Sequence, residues 1–256
     1  DYSINSAPLD FSEGKIHAIM EDRDKNLWVG LFQKGIVLMP KQENPFEYYG
    51  NRSIYYNPIG QGCVMSIYQD SNRHLWVGAD NEGIFELDAE GKRLRHYQPG
   101  NNPRSMANTI MCMYEDTNGD FWLGTYTRGL AKLNRRTGEC EYPLPVDNEK
   151  IFSITEDRHK NLYIATFGSG FYRYNLVTRE LKHYESSKDE SGDLTRNELA
   201  NDWVNYIFCD SEGMIWLGHY KGISCFNPVN ESFINYRNVN TLIEDRVGYV
   251  LQEDHA

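Results

Sequence analysis

The chain has 256 residues, of which 40% are hydrophobic, 25% are charged and eighteen are tyrosine. This composition is typical of a globular protein with a full core, and its aromatic content favours β-strands. The formal net charge of -11 argues against nucleic acid or an anionic membrane surface as a partner, because phosphate binding requires clustered lysine and arginine.

One sequence pattern recurs along the chain: an aspartate, five variable residues, an aromatic residue, an aliphatic residue and a small residue. Its five copies are Asp22 with Trp28-Val29-Gly30, Asp70 with Trp76-Val77-Gly78, Asp116 with Trp122-Leu123-Gly124, Asp157 with Tyr163-Ile164-Ala165 and Asp210 with Trp216-Leu217-Gly218. A sixth copy begins at Glu253-Asp254. The spacing of the aspartates, between 41 and 53 residues, is typical of four-stranded propeller blades.

Each repeat predicts four strands in the same order. The first alternates apolar residues ahead of the aspartate, as at Ile110 and Met113, and the second contains the aromatic pattern. The third follows a second glycine, as at Gly129, and the fourth is a short segment such as Phe46-x-x-Tyr49. In the third repeat this last segment is degenerate and reads Cys140-Glu141-Tyr142-Pro143.

These elements predict an all-β fold, a β-propeller of four-stranded blades with five full repeats and the first strand of a sixth. The blades are expected at about residues 10–57, 58–104, 105–146, 147–196 and 197–240, and residues 241–256 begin a further one. Propellers close rings of typically about 4–8 blades. We therefore expect residues 1–256 to form a single partial propeller that belongs to a larger ring of the seven-bladed type.

The repeated residues have structural interpretations. The aspartate is expected to form a hairpin turn, the tryptophan to fill the space between neighbouring blades, and the glycine to let adjacent sheets approach closely. The fourth repeat has Tyr163 and Ala165 instead, and the fifth is one residue shorter ahead of Gly222. Packing is expected to adjust at these places.

No metal, cofactor or catalytic residue is predicted. Asp22-x-Asp24-x-Asn26 begins like a calcium loop, but Leu27 and Gln33 replace the glycine and the acidic ligand that such a loop requires. The five cysteines lack metal-ligand spacing and are interpreted mostly as small buried apolar residues. Their odd number argues against a complete disulfide framework and leaves a single bridge open.

Variable residues at one end of the blades are the predicted ligand-binding site. The loop between the second and third strands and the approach to the first strand are expected there, around a central opening. The candidate residues are Lys34, Asn108, Tyr126, Arg128, Asn201, Asp202, Trp203, His219, Tyr220 and Lys221. Aromatic faces beside polar groups suit sugars, and Arg128 and Lys221 could also pair with a carboxylate or sulfate. Ordinary solvated loops remain an alternative, as does a position between blades for Trp203.

The run Ile-x-x-Ile-x-Glu-Asp-x4-Leu-Trp-Val-Gly-x4-Gly-Ile, from Ile16 to Ile36, closely resembles the two-component regulator propeller repeat. The segment from His96 to Ile110 resembles the linker between blades of that family. The resemblance implies the periplasmic sensor region of a Bacteroidetes-type hybrid two-component system. In such receptors two propellers precede a β-sandwich, a membrane helix and a cytoplasmic histidine kinase, and many members sense glycan fragments.

The predicted function is a non-catalytic sensor module that relays an oligosaccharide signal to a membrane histidine kinase. Its expected partners are the glycan and the neighbouring propeller and β-sandwich domains of the receptor, with no nucleic acid and no direct membrane contact. The fragment itself is not expected to be an enzyme, although its parent would be a histidine kinase. The alternatives are a protein-interaction scaffold, for example for homodimerisation, and a propeller lyase. Because the sequence stops within a repeat, we expect it to be a piece of a longer receptor.

Overall fold

The computed structural model describes residues 16–23, 25, 27–31, 35–39, 57–144, 146, 149–187 and 197–236. Two compact units divide the chain, Asp1–Asn57 and Pro58–Ala256. The described residues contain nineteen strands and no helix, so the predicted all-β fold is confirmed. All the strands belong to five antiparallel sheets, which we number blades 1 to 5 in chain order.

The first unit contains blade 1, a three-stranded sheet. Its strands are β1 (Ile16–Glu21), β2 (Leu27–Leu31) and β3 (Gly35–Met39), joined in the order β1-β2-β3. The fourth strand that was predicted at Phe46-x-x-Tyr49 lies outside the described residues, as does the sixth copy of the repeat at Glu253-Asp254.

The second unit contains four sheets of four strands, each paired in chain order. Blade 2 consists of β4 (Val64–Gln69), β5 (Leu75–Ala79), β6 (Gly83–Leu87) and β7 (Arg93–Tyr97); blade 3 of β8 (Ile110–Glu115), β9 (Phe121–Thr125), β10 (Leu130–Leu133) and β11 (Cys140–Glu141). Blade 4 consists of β12 (Ile151–Glu156), β13 (Asn161–Thr166), β14 (Phe171–Asn175) and β15 (Leu181–Tyr184); blade 5 of β16 (Val204–Cys209), β17 (Ile215–His219), β18 (Gly222–Asn227) and β19 (Ser232–Tyr236). The two-residue β11 is the degenerate fourth strand.

The core of the second unit lies between consecutive blades. The aromatic residue of the second strand in blades 2, 3 and 4 is buried, and it packs with apolar residues of the blade that follows. Trp76 of blade 2, for example, lies in one cluster with Ile110 and Phe121 of blade 3. The predicted role of the aromatic position as filling between blades is therefore confirmed for Trp76, Trp122 and Tyr163.

The aspartate and the tryptophan of the repeat are bonded to each other. In blade 3 the Oδ1 atom of Asp116 accepts the backbone N–H groups of Asn118 and Asp120, both at 2.9 Å. Its Oδ2 atom accepts the indole N–H of Trp122 at 2.8 Å. Asp22 with Trp28, Asp70 with Trp76 and Asp210 with Trp216 form the same bond at 2.7, 3.0 and 2.7 Å. One carboxylate thus holds the turn and orients the buried ring.

Close packing explains the repeat glycine. A Cβ atom on Gly124 would lie 2.7 Å from Cγ2 of Ile151 and 2.9 Å from its carbonyl oxygen, in the next blade. Blade 4 has Ala165 at this position, and the first strand of blade 5 lies against it in a different register from that seen between blades 2 and 3. In blade 2 the Ser66 hydroxyl donates to the carbonyl of Ile110, whereas Ser153 in blade 4 donates to Ile207, further along the first strand of blade 5.

Candidate functional site

The two loops predicted to share one end of each blade do meet there. In blades 2 to 5, the residue that begins the loop between the second and third strands donates its N–H group to the residue just ahead of the first strand. The four bonds are Asp80 to Cys63 (2.8 Å), Tyr126 to Thr109 (3.1 Å), Phe167 to Lys150 (2.9 Å) and Tyr220 to Trp203 (3.3 Å). We call this end of blades 2 to 5, formed by residues 60–63, 80–82, 107–109, 126–128, 149–150, 167–169, 201–203 and 220–221, the rim.

A row of aromatic rings crosses the rim from blade 4 to blade 5. The Phe167 ring lies between Phe152, at a centroid distance of 5.0 Å, and Trp203, at 4.9 Å. Trp203 in turn meets Tyr220 at 6.1 Å. Trp203 is 48% exposed and Tyr220 is 55% exposed, so both rings present surface to solvent. Trp203 thus packs against Phe167 of blade 4 on one side and presents the rest of its ring to solvent.

Tyr126 forms a second exposed aromatic position, at the boundary of blades 3 and 4. Its side chain is 41% exposed, and the Nζ atom of Lys150 lies 5.0 Å from the ring centroid. This is the range of a cation–π contact. Lys150 was not among the predicted site residues, although it stands just ahead of the first strand of its repeat, where such residues were expected.

Asn201 and Asp202 shape the loop that carries Trp203. The Oδ1 atom of Asn201 accepts the N–H group of Trp203 at 3.1 Å. The carbonyl oxygen of Asp202 accepts the N–H groups of Gly168 and Gly170, at 3.1 and 2.9 Å. Its Oδ1 atom accepts the N–H group of Ser186 at 2.5 Å. These two residues hold the aromatic row in place across the two blades.

Arg128 holds the linker that joins blades 2 and 3. Its Nη1 atom donates to the carbonyl of Ser105 at 2.9 Å, and its Nη2 atom donates to the carbonyl of Pro103 at 2.8 Å. The guanidinium carbon lies 4.1 Å from the centroid of the Tyr142 ring. The half-buried side chain is thus engaged by the protein itself, and its contacts are those of a structural residue.

His219 lies in the core beneath the rim, with 1% of its surface exposed. The Ser224 hydroxyl donates to Oδ1 of Asn235 at 2.5 Å, so it accepts from the Nε2–H group of His219 at 2.8 Å. The Nδ1 atom then accepts the N–H group of Lys221 at 3.2 Å. Burial, followed by the charge of Lys221, lowers the pKa of His219 to about 4. The structure places a neutral, fully bonded imidazole here, away from the rim surface.

The remaining predicted residues are polar side chains at the surface. Asn108 and Lys221 are exposed at the rim, and Lys221 has no side-chain partner among the residues that the structure describes. Lys34 lies outside those residues. Asn108, Tyr126, Trp203, Tyr220 and Lys221 are thus the predicted residues that offer accessible side chains.

The described part of the chain contains no group of three or more His, Cys, Asp or Glu side chains arranged to hold a metal ion. All five cysteines are free thiols. No helix within the described ranges has the length and apolarity needed to cross a membrane.

Sequence comparison identifies a family for three of the repeats. Residues 10–33, 58–81 and 105–127 match the two component regulator propeller family. These segments contain the first two strands of blades 1, 2 and 3. Among curated proteins, no sequence matches the chain.

Two similar solved structures are extracellular domains from B. thetaiotaomicron. One is assigned to the hybrid two-component system BT3049, with a TM-score of 0.67 and 23% identity over 88% of this chain and 28% of that one. The other is assigned to the one-component system BT4673, with a TM-score of 0.67 and 20% identity over 93% of this chain and 33% of that one. The chain thus spans about a third or less of these proteins, and at such identities the similarity shows the fold alone.

A third similar structure is an enzyme, a catalytically inactive virginiamycin B lyase from Staphylococcus aureus with quinupristin. Its TM-score is 0.56 and its identity 14%, over 93% of this chain and 73% of that one. This similarity likewise shows the fold alone.

Proposed function

Because three of the repeats match the two-component regulator propeller family, we propose that the chain is part of the extracytoplasmic, periplasmic sensor of a hybrid two-component system. In this role it binds an oligosaccharide and relays the signal to a membrane histidine kinase through neighbouring domains of the same receptor. The family match and the similarity in fold to extracellular domains of such systems support the proposal.

The exposed rings of Trp203 and Tyr220 carry the oligosaccharide part of the proposal. A solvent-exposed tryptophan offers a flat apolar face. This face suits the C–H face of a pyranose ring, and covering it removes apolar surface from water. Trp203 is supported from behind by Phe167 and by the loop bonds of Asn201, so its orientation is set before a ligand arrives. Such preorganisation lowers the entropic cost of binding.

Polar groups near the rings supply directional bonds. Lys221 follows Tyr220 directly, and Lys150 lies at the Tyr126 ring. Asn108 adds an exposed carboxamide, which both donates and accepts hydrogen bonds. Arg128 and His219 are left out of the binding surface, because their polar atoms are engaged by the protein.

Calorimetric titration of the purified chain with a panel of oligosaccharides tests the proposal. We expect saturable binding by one of them, and a loss of about three- to tenfold in affinity for Trp203→Ala or Tyr220→Ala, from the usual value of one aromatic contact. Val229→Ala is the control, because Val229 is exposed at the opposite end of blade 5. Binding that survives both aromatic substitutions would remove the rim from the proposal.

The interaction scaffold remains the competing function, and light scattering separates it from the sensor. A scaffold that dimerises through the rim would show a concentration-dependent mass that Trp203→Ala abolishes, with no oligosaccharide bound. A monomer that binds an oligosaccharide supports the ligand sensor.

We propose no catalytic role for the rim. Two predicted site residues with side chains suited to catalysis, Arg128 at the rim and His219 in the core beneath it, are committed to structural bonds. Turnover of quinupristin, the compound present in the lyase structure, would contradict this assignment.

A further inference from the structure

A cleft between blades 2 and 3 opens at the end opposite the rim. This solvent-open cleft has a volume of about 560 Å³, and the residues that line it include His74, Glu86, Arg95, Arg135 and Arg136. This volume lies within the usual range for small-molecule sites and exceeds that of a single small ion several times. All the residues that line the cleft belong to the second unit.

Two residues that line the cleft differ in type from the residues at the matching positions of the later repeats. Arg135 and Arg136 occupy the turn between the third and fourth strands of blade 3. The matching turn contains Leu176 and Val177 in blade 4, and Pro228 and Val229 in blade 5. Two cations therefore stand where the later copies have apolar residues. Arg135 is tied to the scaffold by ion pairs with Asp70 and Glu115, whereas no such bond to a described residue accounts for the exposed Arg136.

His74 is held in one orientation in this cleft. Its Nδ1 atom lies 2.9 Å from Oε1 of Glu86, and the Tyr97 hydroxyl donates to the other carboxylate oxygen at 3.0 Å. A carboxylate accepts, so the proton of a neutral imidazole is on Nδ1 and the lone pair is on Nε2. The Nε2 atom has no partner among the residues that the structure describes, and it is free to accept a hydrogen bond from a ligand.

The two carboxylates paired with Arg135 are more deeply buried than the arginine itself. The side chain of Asp70 is 1% exposed and binds Nη1 of Arg135 at 3.2 Å, while Glu115 binds Nη2 of the same residue at 2.6 Å. Arg95 donates to the carbonyls of Arg135 and Arg136, at 2.5 and 3.3 Å, so these bonds leave its charge uncompensated. The exposed guanidinium of Arg136 has no partner within the described part of the chain.

We propose that this cleft binds a phosphate group that carries a proton, either inorganic phosphate or a phosphate monoester in its singly charged form, which is populated near and below its second pKa of about 6. Arg136 and Arg95 donate to its charged oxygens, since guanidinium groups match the geometry of oxyanions. The Nε2 atom of His74 accepts the acidic P–O–H group. Sulfate, which has the same shape but no proton at neutral pH, lacks this last bond and binds less tightly.

The test is calorimetric titration of the purified chain with inorganic phosphate, sulfate and glucose 6-phosphate at fixed ionic strength. We expect phosphate to bind more tightly than sulfate. We expect Arg136→Gln to weaken phosphate binding by about tenfold, which is typical for the loss of one charge-assisted hydrogen bond. The control is Arg73→Gln, which makes the same change in net charge at an exposed residue that does not line the cleft.

His74→Asn should reduce the preference for phosphate over sulfate while binding of sulfate persists. Since the Arg136 side chain makes no hydrogen bond or ion pair with described residues, Arg136→Gln should melt at the temperature of the unaltered chain. Tighter binding of glucose 6-phosphate than of inorganic phosphate would assign the site to a monoester, and the reverse would assign it to the free ion. The proposal is overturned if neither phosphate saturates the protein, if sulfate binds as tightly, or if both arginine variants weaken binding equally.

Discussion

The hydroxyl group of Tyr163 donates a hydrogen bond of 3.0 Å to Oδ2 of Asp157, the oxygen that accepts an indole N–H group in the other four blades. A smaller ring thus makes the same bond through a different donor. Burial, followed by the charge of Asp157, raises the pKa of Tyr163 above its ordinary range, so the hydroxyl keeps the proton that it donates.

Tyr163→Phe should destabilise the chain by about 1–3 kcal/mol, because it leaves a buried carboxylate oxygen with one donor fewer. Asn161 still donates to the same oxygen at 2.8 Å, which limits the loss. Urea unfolding measures the change. Tyr206→Phe is the control, since the Tyr206 hydroxyl bonds to no described residue. Equal effects of the two variants would refute a role for the Tyr163–Asp157 bond.

Gly124→Ala should destabilise the packing of blades 3 and 4. The added Cβ atom would lie 2.7 and 2.9 Å from two atoms of Ile151, one of them a backbone oxygen that cannot rotate away. Overpacking of this kind costs about 1–3 kcal/mol. Gly119→Ala is the comparison, because no atom lies within 4 Å of its Cβ position and only its positive φ opposes the change. A smaller loss for Gly124→Ala than for Gly119→Ala in thermal unfolding would contradict this explanation.

Arg128→Ala should reduce stability without removing a ligand contact. The substitution breaks the bonds to Pro103 and Ser105 and the contact with the Tyr142 ring, at an expected cost of about 1–3 kcal/mol. Arg73→Ala, at an exposed position, is the control in the same unfolding experiment. A variant that unfolds like the unaltered chain but loses oligosaccharide affinity would instead make Arg128 a ligand-binding residue.

Acid should destabilise the chain through His219. Its pKa is about 4 in the folded chain, against an ordinary value of 6.5. Between these two pH values the unfolded chain therefore binds a proton at His219 that the folded chain does not bind. Stability is therefore fully present above about pH 6.5 and falls as the pH drops towards 4, by roughly 3 kcal/mol in all.

His219→Gln should flatten this dependence, because glutamine does not titrate in this range. Urea unfolding at several pH values between 4 and 7 measures the slope, and the exposed His159→Gln variant is the control. The assignment fails if the slope of His219→Gln matches that of the unaltered chain.

The residues of the rim were predictable only in part. Trp203 and Tyr220 stand out in the sequence because the repeat does not require them, and the structure shows both exposed at adjoining loops. His219 and Arg128 stand out for the same reason, yet the structure directs them to Ser224 and to the linker. Sequence position places a residue at the end of a strand, but the direction of its side chain depends on neighbours that lie far away in the chain.

The sequence by itself determined the repeat, and with it the strands, the turns and the buried aromatic positions. Alternating apolar residues and turn-forming aspartates are local signals, and five copies reinforce one another. Only the tertiary structure decided which groups meet between blades. Glu115 accepts the N–H group of Ser71 at 2.7 Å, and Glu156 accepts that of Thr117 at 2.7 Å, each in the preceding blade. Contacts across about forty residues exist only once sheets stack, because burial of their apolar faces brings the polar edges together.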